Sequence, residues 1–418
     1  MELKRLTLIV CALLAYSSVY SPLTRAGTLY GQSPANTDNQ GNNFVPYIGM
    51  SEYYNSNLFA LENEQEAKSI LGTTQTSDYI TALTAGVKGV WNLGRQNFTG
   101  HAIITQSNYQ TFSQLNNHAT DILMQWNWQL GRNFSGDAGV TYTTQLYNLT
   151  FIQAPINDTF TSKMAYFDGY AKLTPRWQLI ANTNHSSYDN NNALLTPYNL
   201  STDAVGAGVR YFTPSGYKLD FTTRQTTGTY PNPPYFNGVP TVYNYTQNDT
   251  GVNFLWGNAS KSLWYGNLDY TQHNTPTNSA LNFSGFTGSI DYKLLTSGKT
   301  NIDIGIYRRL SAYDTTTTSY MLLNGISVMG VWNASNKLSF NMRARSESMN
   351  VPVAGGLYLA QTAIPIQTRF ITAGVGMDYQ VYRHTDIAAN IDRGARAANI
   401  ANFSYTYNDL MLSVTQKF

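Results

Sequence analysis

The stretch QTRFITAGVGMDYQVYRHTDIAANIDRGAR, residues 367–396, decides the fold. Ile371, Ala373, Val375, Met377 and Tyr379 fall on one parity, and Thr372, Gly374, Gly376 and Asp378 on the other. Side chains of a strand alternate between its faces, so this half has one apolar and one wet face. A tight turn follows near Arg383, and a second alternating run begins at Thr385.

The same unit recurs along the chain. Tight turns fall near Gly94, Gly131, Pro175, Ser215, Asn258, Ser297, Asn333 and Arg383. Between them lie paired alternating stretches joined by longer, more polar loops. Eight short turns and two free ends imply nine long loops and 18 strands. Expected strands are 45–54, 77–91, 97–112, 118–130, 134–147, 161–173, 176–188, 201–213, 216–227, 245–257, 261–273, 281–294, 299–312, 319–332, 338–350, 367–381, 385–396 and 402–418. Most are long enough for a tilted crossing of a bilayer core, which takes about 9–11 residues. An even array with short turns at one end and long loops at the other is the pattern of a Gram-negative outer-membrane β-barrel. The expected fold is thus all-β, a transmembrane antiparallel barrel of about 18 strands with both termini periplasmic.

Composition agrees. Only 12% of the 418 residues are charged, yet mean hydropathy is −0.30. No apolar run of about 18 residues exists to make a spanning helix. Propellers and β-helices would carry a fixed motif per blade or coil, and none recurs here.

Residues 1–26 read as a signal peptide. Lys4 and Arg5 precede an apolar run at 6–15, followed by small residues with cleavage sites after Ser18 or Ala26. Cys11 lies within the run, and Val10 before it is too large for a lipoprotein signal. Residues 27–44 read as a flexible periplasmic lead-in, and 45–418 as the barrel. Cleavage at Ala26 leaves 23 residues of each sign and no Cys. Disulfides and nucleic-acid steering are therefore excluded.

Charges on a lipid face cost about 2–4 kcal/mol at the midplane, so consistent parity sends them inward. Tyr217, Leu219 and Phe221 oppose Lys218, Asp220 and Arg224; Ile302, Ile304 and Ile306 oppose Asp303 and Arg309; Leu338, Phe340 and Met342 oppose Arg343 and Arg345. With Asp291, Lys293 and Asp392 these are the candidate lumen-lining residues. Arg308 breaks the parity and is expected at the outer rim or at a bulge. All seven Trp lie near short turns, while Tyr109, Phe112, Tyr147, Tyr188 and Tyr230 crowd the opposite ends. Two aromatic girdles at the headgroup levels are the expectation. The last segment, 410–418, alternates Leu410, Leu412 and Val414 toward a terminal Phe418, the expected signal for the barrel-assembly machinery. Gln416 stands where an apolar residue is commoner.

Chemistry-bearing constellations are sparse. Five His show no metal-ligand spacing, and no nucleophile elbow is present. His185, Ser186 and Asp189 are adjacent, but adjacency does not make a triad. The expectation is no catalysis and no cofactor or metal. Loop 55–76, with Glu62, Glu64, Glu66 and Lys68 among Leu58, Leu61, Ile70 and Leu71, reads as a short amphipathic helix, either a lid in the pore or a solvated surface helix. Loop 229–245 sets Pro231, Pro233, Pro234 and Pro240 among Tyr230, Tyr235, Phe236, Tyr243 and Tyr245. Stiff aromatic faces there suit sugar rings or simply the membrane rim.

Certain motifs carry a family likeness: Asn57-Leu58-Phe59, Ser77-Asp78, Ala85-Gly86, Gly94-Arg95-Gln96, Tyr109-Gln110-Thr111-Phe112 with Leu115, Trp126-Asn127-Trp128-Gln129-Leu130-Gly131 and Pro175-Arg176-Trp177. Over residues 45–190 the chain resembles the β-barrel porins found with exosortase and exopolysaccharide gene clusters, often called EpsL-like. Ser56 departs from that pattern, which we read as having Asp there. The resemblance implies an outer-membrane conduit for exopolysaccharide secretion working with a periplasmic polysaccharide-export protein. The residues themselves leave a general diffusion porin for small solutes, or a plugged structural or adhesive barrel, as alternatives. Expected partners are outer-membrane lipid and lipopolysaccharide, the assembly machinery, and the polysaccharide or solute carried.

Overall fold

The computed structural model describes residues 43–233, 235–236, 239–240, 244–258, 261–312, 320–351 and 366–418. The signal peptide and most of the lead-in lie outside the described residues. The strands are β1 (Asn43–Asn55), β2 (Asp78–Leu93), β3 (Gln96–Tyr109), β4 (Asn117–Leu130), β5 (Phe134–Leu146), β6 (Thr159–Lys172), β7 (Trp177–Asn190), β8 (Leu200–Phe212), β9 (Lys218–Thr229), β10 (Tyr235–Phe236), β11 (Val239–Pro240), β12 (Tyr245–Asn258), β13 (Ser262–Asn274), β14 (Phe283–Ser297), β15 (Thr300–Ala312), β16 (Tyr320–Asn333), β17 (Leu338–Val351), β18 (Ile366–Tyr382), β19 (Thr385–Ala398) and β20 (Tyr405–Lys417). β10 and β11 form a small separate hairpin, and the other 18 pair antiparallel in one sheet. β1 pairs with β20 from Tyr47 opposite Lys417 to Asn55 opposite Asp409, which closes the sheet into a barrel. Closure leaves no open edge, the condition for spanning a bilayer with strands.

Alternation places the large apolar residues outside. Met50, Ile104, Val205, Phe221, Ile306, Met342, Val375, Ile391 and Leu412 are all exposed on that face. A water-soluble protein rarely shows so continuous an apolar surface, and lipid is the solvent that suits it. At the short-turn end the Trp girdle is present. Trp91, Phe98 and Trp126 stack with centroids 5.4 and 6.0 Å apart. Trp177 meets Tyr211, Trp256 meets Tyr217, and Trp264 meets Tyr292, all within 4.7 Å.

The turns lock to one another through the motif residues. Gly94 and Gly131 take left-handed φ of 60° and 62°, which glycine adopts without steric cost. Arg95 donates to the Gly131 carbonyl at 2.7 Å, and Gln96 to the Gln129 carbonyl at 2.9 Å. The Trp126 indole donates to Gln96 at 2.9 Å.

The five aromatics named for the outer girdle do not build it, although Tyr79, Tyr270 and Phe286 are exposed on the outer face toward the long-loop ends. Phe112, Tyr147 and Tyr230 are buried, and Tyr109 and Tyr188 pack against the same interior clusters. These five aromatics turn toward the loops and the lumen, not toward headgroups. Arg308 is exposed on the outer face, and the register shift between β14 and β15 lies at Leu295 and Ser297, so no bulge accounts for it.

Candidate functional site

A barrel of this strand number leaves a channel rather than a packed interior. The ten candidate residues take the parity opposite to the exposed apolar set on their strands. Asp220 is buried and receives both Nε and Nη2 of Arg210, at 2.7 and 2.9 Å. Lys218 Nζ lies 4.0 Å from the same carboxylate. Arg224 donates to Asn184 at 2.6 Å. Arg343 pairs with Asp392, its Nε reaching Oδ1 at 2.7 Å. Arg345 pairs with Glu347 and donates to the Tyr307 hydroxyl at 2.8 Å. Arg309 lies over the Tyr307 ring, 4.8 Å from its centroid. Lys293 stands directly opposite Asp303, which accepts the Tyr265 hydroxyl at 2.8 Å, and Asp291 stands opposite Tyr265.

Sequence reasoning missed Arg210, Tyr265, Tyr307 and Glu347. Parity was the available signal: Arg210 is out of phase with Val205 and Val209, and Glu347 lies two positions beyond Arg345. The wall interleaves the two signs: Asp249, Asp269, Asp291 and Asp303 on β12–β15 share those strands with Lys293 and Arg309, Arg210, Lys218 and Arg224 on β8–β9 stand with Asp220, and Arg343 and Arg345 on β17 with Glu347. Small residues make room for this lining. A Cβ on Gly325 would lie 2.3 Å from the Tyr307 ring, and one on Gly374 would lie 1.9 Å from Asp392 Oδ1.

Loop 56–77 enters the mouth. Its helix α1 (Glu64–Leu71) starts at Asn63, whose side chain accepts from Glu66 N at 2.9 Å, and stops at Gly72. Leu58, Phe59, Leu61 and Ala67 are buried with Ile80, Phe112, Leu115 and Leu149. Phe59 meets Phe112 edge-on at 4.7 Å. The Asp78 carboxylate holds loop 110–116 against this core, accepting Thr111 N at 2.8 Å and Phe112 N at 2.9 Å. Loop 55–76 carries features of both readings: Leu58, Phe59, Leu61 and Ala67 pack inward, while Glu64, Gln65, Lys68 and Ser69 of the helix are exposed. Burial raises the Glu66 carboxyl above its usual range, although Glu62 N donates to it at 2.7 Å.

Three loops meet at one knot. Gln153 donates to the Ala60 carbonyl at 2.9 Å and to the Asn402 carbonyl at 3.2 Å. Ala60, Gln153 and Asn402 are the three non-glycine residues with left-handed φ among the described residues, at 55°, 51° and 65°. Such conformers cost about 1–3 kcal/mol each and persist only where surrounding contacts enforce them. Asn57 adds a clasp, donating to the Leu61 and Thr406 carbonyls at 2.8 and 3.1 Å. Glu62 accepts from Asn402 N at 2.6 Å.

A second cluster crosses the barrel. Tyr147, Phe160, Leu195 and Tyr198, from the β5–β8 side, form one buried cluster with Met321, Leu323 and Val351 of β16 and β17. Tyr307, Met349 and Ile366 pack on it from the same far wall. Loops 147–158 and 191–199 thus span the mouth from one wall to the other. Asp158 ties the two loops, accepting Asn192 N at 2.7 Å. It is fully buried, and that burial raises its carboxyl above the usual range.

The other candidates fare differently. His185 pairs with Asp203 at 2.8 Å on the outer face, whereas Ser186 is buried on the inner one, so the adjacent residues form no triad. In loop 229–245, Tyr230 packs on Leu200, while Pro234 and Tyr243 lie outside the described residues. Phe418 is exposed, and its N–H donates to the Pro46 carbonyl at 2.9 Å. Gln416 accepts the Thr385 hydroxyl at 2.7 Å, which gives this polar residue a partner at the barrel seam.

No protein-family model and no curated protein matches the chain. Its 18-stranded barrel matches solved outer-membrane porins in fold. OccK2 (OpdF) of Pseudomonas aeruginosa superimposes with a TM-score of 0.50 over 91% of this chain and 100% of that one, at 9% identity. OpdK of Pseudomonas aeruginosa, solved with vanillate, gives 0.48 over 90% and 99% at 9% identity. OccAB3 of Acinetobacter baumannii gives 0.48 over 90% and 99% at 10% identity. At these identities the likeness is one of fold.

Proposed function

We propose that this barrel is an outer-membrane channel for small hydrophilic solutes, non-catalytic, with its long loops outside and both termini periplasmic. The carrying observation is the buried apolar cluster that joins Leu195 and Tyr198 to Leu323 and Val351 across the mouth. It divides an opening that a polysaccharide would need intact. The polar lining with charges of both signs supports the same reading, because it favours a small polar solute over an apolar one. The porin-type fold agrees, although fold alone does not set function.

The exopolysaccharide reading keeps one support, the motif resemblance over residues 45–190. Those motifs occupy turns and the loop core, so they speak for architecture more than for cargo. Export of a polymer would require loops 56–77, 147–158 and 191–199 to leave the mouth together.

The test is liposome swelling with purified protein in isotonic monosaccharide, trisaccharide and a soluble polysaccharide, beside secreted polymer measured in a deletion strain. Swelling that falls steeply between the two small sugars, with normal secretion in the deletion strain, is the expected result. Loss of secreted polymer with no small-solute flux would return the channel to polysaccharide export.

A further inference from the structure

We propose that strands β15–β19 carry, at their long-loop rim, a binding site for the phosphate groups of an anionic outer-leaflet glycolipid, held by Arg308, Arg369 and Arg393. The inference rests on the outer-membrane reading above. All three arginines share outward parity and are exposed. Each stands two positions from an outward isoleucine: Ile306, Ile371 and Ile391, which are 51, 46 and 57% exposed. The guanidinium groups therefore sit where the apolar band ends. Arg308 and Arg393 both lie eight residues from the short-turn start of their strands, Thr300 and Thr385.

The row between two of them is polar and continuous. Arg308 is opposite Asn324, Asn324 opposite Ser348, and Ser348 opposite Arg369. Three strand spacings make this row about 14 Å long. Arg308 donates to Asn324 at 3.2 Å, which steers its guanidinium along the row.

On the outer face of β6–β7, Lys163 is answered within the protein by Asp189 at 3.4 Å. Among the described residues of β15–β19, no carboxylate has outward parity. Cations at a membrane boundary without a protein anion draw their counter-charge from headgroups. Guanidinium groups bind phosphate through paired N–H donors, which favours a phosphorylated lipid over a zwitterionic one.

The test is native mass spectrometry of the full-length protein in detergent with added diphosphorylated lipid A, dephosphorylated lipid A or phosphatidylcholine. Wild type is expected to retain the diphosphorylated lipid, and R308Q/R369Q/R393Q to retain about tenfold less. Heat-modifiability on gels checks that the variant is folded. If it is not, the wild-type preference for phosphorylated over dephosphorylated lipid decides. Equal retention by the folded variant, or of the dephosphorylated lipid, overturns the site. Displacement of the lipid by equimolar inorganic phosphate, or dimerisation through this face without lipid, overturns it as well. Conductance of the same samples keeps the two readings apart: an inert pore that still binds lipid A defeats the channel proposal alone.

Discussion

Truncating Leu195 and Tyr198 together to Ala is expected to open the mouth. Both are nearly inaccessible, at 2 and 6% exposure, and both touch the cluster that reaches β16 and β17. A buried Leu→Ala change costs about 2–5 kcal/mol, and loss of a large aromatic about 3–5. The two residues share a cluster, so the costs do not simply add. A combined loss near 5 kcal/mol is a conservative figure from those ranges. Each 1.4 kcal/mol is about a factor of ten in population, so a loop assembly held by a few kcal/mol passes from mostly closed to mostly open. The barrel wall, with a complete hydrogen-bond ladder, is untouched. Single-channel conductance in planar bilayers is expected to rise, and the size limit in liposome swelling to move to larger sugars. Hydrogen exchange in loops 147–158 and 191–199 should accelerate while the strands stay protected. Leu179→Ala is the control, since Leu179 is 45% exposed on the outer face and lies outside the bridge. Unchanged conductance and size limit, with exchange showing the loops released, would refute the claim that this cluster obstructs the pore.

Gln153→Ala removes two donors from the three-loop knot and strands the Ala60 and Asn402 carbonyls; a loss of about 2–4 kcal/mol of loop stability is expected from the range for lost and unsatisfied hydrogen bonds, read as faster exchange at 56–62 and 399–404. Gly374→Ala sets a Cβ 1.9 Å from Asp392 Oδ1, so Asp392 must leave Arg343; bilayer reversal potentials in a salt gradient should shift toward anions, as they should shift toward cations in R343Q/R345Q. Acid should favour the packed cap: the folded carboxyls of Glu66 and Asp158 are raised, so their contribution is fully present below the unfolded carboxylate range and is lost as pH rises through their folded values. Conductance should therefore fall on acidification, and a pH-independent open probability in the absence of other changes would count against it. Deleting Phe418 should lower folded yield, scored by heat-modifiability, whereas a normal yield would assign assembly to other parts of β20.

The wall was legible because its rule is local. Alternation with period two names the faces of residues 371–379 without knowledge of the rest of the chain, and each of the 18 expected strands is present with ends shifted by a few residues. The candidate lumen set was chosen by the same parity. The cap was not legible, because it is made by contacts distant in sequence: Gln153 meets Ala60 across 93 positions and Asn402 across 249. Phe112, Tyr147 and Tyr230 follow strand ends, where alternation no longer says which way a side chain points. Headgroups and a buried loop core attract aromatics alike, so composition could not separate them. The Asp78 and Phe112 motifs were read as turn and rim features, yet their work is to hold loop 110–116 under Phe59.

Two solvents divide the labour in this chain. Lipid fixes the outer face, where one residue in two must be apolar, and that demand leaves little freedom for function. Inner residues escape that demand and answer to one another. They do so by pairing: Arg210 with Asp220, Arg343 with Asp392, Arg345 with Glu347. A paired wall is stiff and offers few free charges to a solute. Selectivity by size must then come from the loops, the only segments able to narrow a channel whose bore is set by strand number. Their packing is protein-like, with buried Leu, Phe and Tyr, two buried carboxyls and a strained three-residue knot. A core of that kind either holds or opens as a unit. The channel is therefore expected to switch between discrete conductance levels, and a graded conductance across the cap variants would mean that its loops move independently.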